Sequence, residues 1–165
     1  MNLKNVTLLA ATASCVMQVG AQLFAVSIVA STIAAAPPRS FLILQGEFGY
    51  DSSSFWNMAP TITFLLLIIA LITNWKTPRR KLILSALILF IFAGILAALF
   101  LDPLFADMMK VGYSDRVDEA LQAQARRWYM LDWMVWVLGF VSGLILLLAL
   151  TMPVKPHVSG SRVQA

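Results

Sequence analysis

Two glutamines, Gln18 and Gln22, stand one helical turn apart in the stretch SCVMQVGAQLF, in the middle of about 30 residues that carry no formal charge. An amide left unsatisfied in hydrocarbon costs several kcal/mol, so both side chains must face protein or a polar cavity. At helical spacing, Ala11, Ser14, Gln18, Gln22 and Ala25 form one small and polar stripe, which Ala10, Ala13, Gly20, Ala21 and Ser27 broaden. Two chemistries fit such a stripe. It is either glue between helices, where close backbone approach and hydrogen bonds of about 1 kcal/mol each hold neighbouring spans, or one wall of a polar cavity for a ligand. Partners on the other apolar stretches are few, chiefly Thr61, Thr63, Ser85 and Ser142.

The second chemical feature is the segment YSDRVDEALQAQARRWYMLDWMVW. Trp128, Tyr129, Trp133 and Trp136 read as an aromatic belt at a membrane interface, and Asp132 is an acid one turn inside that belt. Either Asp132 pairs with Arg39, Arg126 or Arg127 and fixes the loops, or it joins Asp102 in a polar mouth above Gln18 and Gln22. In the second case the carboxyl group is placed for proton transfer.

Other chemistries lack the residues they need. Haem commonly takes histidine ligands, and zinc or non-haem iron takes clustered histidine, cysteine or carboxylate. The chain has one histidine, His157, in the polar tail PVKPHVSGSRVQA, and one cysteine, Cys15. No metal site and no other cofactor is therefore expected, and a Ser-His-Asp triad fails for the same reason. The acids match no cation-binding loop, and there is no glycine-rich phosphate loop. Cys15, alone and within a helical stretch, reads as packing and forms no intrachain disulfide.

The elements that must position these residues follow from composition. The 165 residues are 60% hydrophobic and 12% charged with a mean hydropathy of +0.82, which is the composition of an integral membrane protein. The expected fold is all-α, a four-transmembrane-helix bundle in one domain over residues 1–165. Apolar runs at 6–36, 59–73, 81–101 and 128–152 are near or above the roughly 20 residues that cross a bilayer, the second needing Phe55, Trp56 and Trp75 to complete its crossing. Pro37-Pro38 closes the first helix, Asn57 caps the second with Pro60 in its opening turn, Thr77-Pro78 opens the third and Asp102-Pro103 closes it. The fourth begins near Ser114 or Asp115 and runs on as one helix of roughly 55 Å. The apolar stretch before Ala34-Ala35-Ala36 is too long for a signal-peptide core, and the faint lipoprotein pattern TASC has Thr12 where a larger aliphatic residue belongs.

Charge orients the bundle. Four spans put both termini on one side, with Lys4, Lys76, Arg79, Arg80, Lys81, Lys155, Arg162 and no acid, while all eight acids and the other five basic residues lie opposite. The positive-inside rule places both termini in the cytoplasm, with loops 37–57 and 102–127 outside and the tail 153–165 inside. The location expected is a bacterial inner (plasma) membrane, multi-pass. The net charge of +4 matters less than this distribution.

RRWYMLDWMVWVLGFVSGLILLLAL, preceded by LFLDPLF, resembles the anthrone-oxygenase-like family of small four-helix membrane proteins, over about a third of the chain. The family's fourth helix often reads Arg-Trp, then Asn or His four residues after the tryptophan, then Arg three further on. Here Arg127 and Trp128 match, Asp132 takes the Asn or His place, and Val135 stands where the arginine is expected; Asp102-Pro103 resembles the family's proline near the end of helix three, without its usual asparagine. The resemblance implies a cofactor-independent enzyme on a lipophilic substrate, with Asp132 and Arg127 as catalytic candidates beside Gln22.

Three functions follow as expectations. The first is a non-redox accessory or interaction subunit, docking a membrane-protein partner or a second copy through the small-residue surfaces. The second is the enzyme just described, binding a lipophilic small molecule. The third is a small transporter acting as an oligomer, although no inverted repeat and no helix broken at mid-membrane is evident. The candidate ligand or helix-interface residues are Ser14, Gln18, Gln22, Asp102 and Trp128. The lipid bilayer is the common partner of all three readings, and a nucleic-acid partner is not expected because so little of the chain lies outside it.

Overall fold

The computed structural model describes residues 2–153, so the tail that carries Lys155, His157 and Arg162 lies outside the described residues. Four helices are long and apolar enough to cross a membrane: α1 (Leu3–Ala35), α2 (Ser53–Thr73), α3 (Arg80–Met109) and α4 (Glu119–Thr151). Among the described residues the regular structure is helical throughout. The chain is a helical, multi-pass integral membrane protein.

The helix boundaries follow local chemistry. Asn2 caps α1 by accepting the Lys4 amide at 3.2 Å, and the helix ends at Ala35, before Pro37-Pro38, as expected. The α2 start differs from the expected one. Asp51 accepts the Ser53 amide at 2.8 Å, so the helix begins at Ser53, Asn57 is not its cap, and Pro60 lies inside it. The Ser53 amide holds the Asp51 carboxyl below its ordinary pKa. This earlier start brings Phe55 and Trp56 into a span of 21 residues. Thr77 also does something other than cap α3: its hydroxyl donates back to the Asn74 carbonyl at 2.8 Å, closing a turn, and α3 starts at Arg80.

Two helices contain a widened turn. In α1 the residues Ala25–Ala30 are π-helical, and hydroxyls take up the loosened carbonyls, with Ser31 donating to Ser27 and Thr32 to Ile28 at 2.6 and 2.7 Å. In α3 the residues Ala97–Leu101 are π-helical, and the Asp102 amide donates to Ala97, five residues back. Asp102-Pro103 therefore does not close the third helix. Pro103 has no amide to donate, and the wider turn before it absorbs the missing bond, so the helix continues to Met109. The fourth helix starts later than expected, at Glu119, because Asp118 is its cap, accepting the Leu121 amide at 3.0 Å. Its 33 residues still span roughly 50 Å.

A buried arginine ties one end of the bundle together. Arg79 is 5% exposed and donates from Nε to the Met152 carbonyl at 2.8 Å, from Nη2 to the same carbonyl, and from Nη1 to Asn5 Oδ1 at 2.7 Å. A cation thus sits at the C-terminus of α4, where its last carbonyls lack helical donors. Beside it, Asn74 Nδ2 donates to the Lys4 carbonyl at 3.1 Å and Thr7 pairs with Thr73 at 2.7 Å. The start of α1, the α2–α3 turn and the end of α4 meet at this end.

The opposite, loop end is closed by a 3-10 segment, Arg39–Leu44. The chain returns over it through Gly49, where a side chain would come within 2.7 Å of the Leu44 carbonyl, and the Tyr50 amide donates to Ile43 at 2.8 Å. Asp118 donates its amide to the Pro37 carbonyl at 3.0 Å, and Gln122 Nε2 reaches Ala35 at 2.9 Å. Two cores result. Leu8, Leu67, Ile83 and Leu146 fill the Arg79 end, while Ile33, Phe41, Met108 and Trp128 fill the loop end.

Replacing Arg79 with leucine leaves Met152 and Asn5 without their donor. The expected cost is about 2–3 kcal/mol, as for lost hydrogen bonds to a charged group, read as a lower midpoint of thermal unfolding in detergent. Arg79→Lys should recover only part of it, because an ammonium cannot reproduce the fork.

Candidate functional site

Between the two cores lies a cavity of about 430 Å³, within the range of small-molecule sites. Helix α1 contributes Cys15, Gln18, Gln22 and Ala25; α4 contributes Trp128, Asp132, Val135 and Gly139. The widened turns border it directly, through Ala25, Val29 and Ala30 on α1 and Ala97, Ala98 and Leu101 on α3. Leu44 and Tyr50 of the loop form its roof.

The small and polar stripe of α1 divides into two roles. Ser14 pairs with Thr63 of α2 at 2.8 Å, so this residue is helix glue. Gln22 Nε2 donates to Asp132 Oδ1 of α4 at 3.1 Å, and both residues line the cavity. Gln18 lines it too, with a buried Oε1 that has no partner among the described residues. Of the other expected partners, Ser142 donates to the Ala86 carbonyl of α3 at 2.9 Å, while Ser85 and Thr61 bond within their own helices. The cavity is where the two glutamines converge.

Asp132 is 7% exposed and its partner is the Gln22 amide, not Arg39, Arg126 or Arg127. Among the described residues the only ion pair is Lys110–Asp107, at 2.6 Å. The reason is helical phase. Arg127 lies five residues before Asp132 and points to another face, where it is exposed and outside the cavity lining, whereas Trp128, one turn before Asp132, shares its face. Arg127 is thus separated from Gln22 and Asp132. Trp128 is 8% exposed and stacks on Phe105 with ring centroids 5.1 Å apart, and its Nε1 has no acceptor among the described residues. Asp102 stands at the rim, exposed.

The arrangement joins apolar and aromatic walls to a few convergent polar groups, with a carboxyl group held by one amide. Of the two alternatives read from the sequence for Asp132, the polar mouth with Asp102 above Gln18 and Gln22 is the one whose residues share this lining, together with Trp128, while the roof and the widened turns were not read. The available signals were the hydroxyls Ser27, Ser31 and Thr32 in register along α1 and the proline at 103 in an otherwise unbroken apolar helix. Comparison with protein-family models, curated proteins and solved structures finds no match to this chain.

The division of the stripe has a measurable consequence. Ser14→Ala removes a bond made between helices and should lower unfolding stability by about 0.5–1 kcal/mol. Gln18→Leu removes a buried acceptor that has no partner and should leave stability unchanged or raise it. Unfolding in mixed micelles compares the two; a larger loss for Gln18→Leu than for Ser14→Ala would make Gln18 glue as well.

Proposed function

We propose that this protein binds a lipophilic small molecule inside the membrane, in the cavity between α1, α3 and α4, with the Gln22–Asp132 pair at its polar end. The observation that carries the reading is that pair, a buried carboxyl group on α4 held by an amide on α1 and bordering an apolar cavity. Intramembrane carboxyl groups are costly and are kept where they serve a ligand or a proton. The reading stands ahead of a non-redox accessory subunit because Gln18, Gln22 and Asp132 all line the cavity and Gln18 Oε1 has no partner among the described residues, whereas Ser14 is spent on α2. The basic residues Lys4, Lys76, Arg80 and Lys81 at the Arg79 end support cytoplasmic termini in a bacterial-type inner membrane.

A second reading makes the site catalytic. The resemblance of α4 to anthrone-oxygenase-like proteins supports cofactor-independent turnover of the bound molecule, with Asp132 moving the proton. The favouring observation is that Asp132 has no cationic partner among the described residues and lies in the cavity wall. The exposed position of Arg127 removes it from this role.

Gentle extraction from native membranes, followed by identification of all that stays bound, tests the proposal. A retained lipophilic molecule that is lost on Gln22→Leu or Asp132→Asn is the expected result. A stoichiometric protein partner with no small molecule would return the accessory reading to first place.

A further inference from the structure

The second and third spans do not pack along their whole length. The Cα atoms of α2 come within 8 Å of the Arg80–Leu96 part of α3, but within 8 Å of none in Ala97–Leu101, Asp102–Met109 or α4. Towards the loop end the two helices therefore part, and the residues on either side of the gap are cavity residues: Trp56 and Pro60 on α2, Gly94 and Ala98 on α3. Gly94 and Ala98 are exposed although they line the cavity, so at this place the cavity wall is also the surface that meets lipid. Pro60 and Gly94 keep the rim thin, and a Cβ on Gly94 would meet nothing within 4 Å. Leu44 and Tyr50 roof the cavity on the loop side.

Charge limits what can enter. Among the described residues the lining contains two carboxyl groups, Asp102 and Asp132, and no lysine, arginine or histidine. Gln22 Nε2 donates one of its two hydrogens to Asp132, and the Gln18 amide and Trp128 Nε1 are further donors on lining residues. The polar end thus holds both donors and acceptors but no cation, so an anionic head group would meet two carboxyl groups and no counter-charge.

Resting on the cavity reading above, we propose that the site is loaded sideways from the bilayer, through the gap between α2 and α3, by an amphiphile with a non-anionic head group that donates hydrogen bonds, an alcohol or an amine. The apolar body lies against Trp56, Phe90 and Phe105, and the O–H or N–H reaches the carboxyl group of Asp132.

The test uses the full chain in nanodiscs of zwitterionic phospholipid, with dodecanol, dodecylamine and dodecanoate as matched probes and tryptophan emission as the signal. Trp56 and Trp128 border the site, and empty nanodiscs correct for partitioning. Dodecanol and dodecylamine should bind saturably, with dodecanoate at least tenfold weaker. Gly94→Phe, which fills the gap from an open position, should slow association tenfold or more. Gly20→Phe, equally free of neighbours but outside the lining, should not. Equal rates in the two phenylalanine variants, with binding intact, would overturn the lateral route and leave the cavity reading standing. Dodecanoate binding as tightly as dodecanol would overturn the choice of head group. Absence of saturable binding by all three probes would overturn the cavity reading and this proposal with it.

Discussion

A polar group in the hydrocarbon layer has no water to fall back on, and the whole bundle is arranged around that constraint. Hydrogen bonds between the helices are spread over three pairs: Ser14 to Thr63 and Thr7 to Thr73 join α1 to α2, Ser142 to the Ala86 carbonyl joins α4 to α3, and Gln22 to Asp132 and Trp136 Nε1 to the Val19 carbonyl join α1 and α4. At one end the constraint is met most fully by Arg79, which gathers the last carbonyls of α4 and the Asn5 side chain of α1. At mid-bundle it is met only in part. Among the described residues Gln18 Oε1 and Trp128 Nε1, both on residues that surround the cavity, have no partner, and at the Arg79 end Asn74 Oδ1 has none either.

The widened turns explain how four helices enclose that space. A π turn adds a residue without breaking the helix, shifts the phase of everything beyond it, and recurs at functional sites. In α1 it follows Gln22 by three residues, and in α3 it precedes Asp102. Small residues at both turns, Ala25, Ala30, Ala97 and Ala98, leave room where larger side chains would close the cavity. The same phase shift lets α1 serve two neighbours, packing against α2 through Leu8 and Ala11 in one core and contributing Val29 and Ile33 to the other.

Much of this was legible in the sequence. Four spans follow from hydropathy, and Asp132 stood out because an acid inside an aromatic belt has few physical excuses. The partner of Asp132 was not legible, since Gln22 lies 110 residues away and the nearer arginines offered a simpler pairing. Helical phase, not proximity in sequence, decides between them. Pro60 and Pro103 misled the boundary assignment because proline in water ends helices, whereas within a membrane neighbouring helices and local π adjustment carry the chain through. Arg79 read as one of a basic cluster that orients the protein, and nothing local signals that it is buried. The roof at Leu44 and Tyr50 depends on a turn over Gly49 that only three-dimensional closure makes visible.

The most direct test of the central claim, a ligand cavity inside the membrane, is an experimental density map of the protein embedded in lipid from its native membrane. The account predicts separated loop-end halves of α2 and α3, Gln22 bonded to Asp132, and non-protein density beside that pair. A map in which α2 and α3 pack along their full length, with Gln18 and Gln22 bonded to side chains where the cavity now lies, would contradict it.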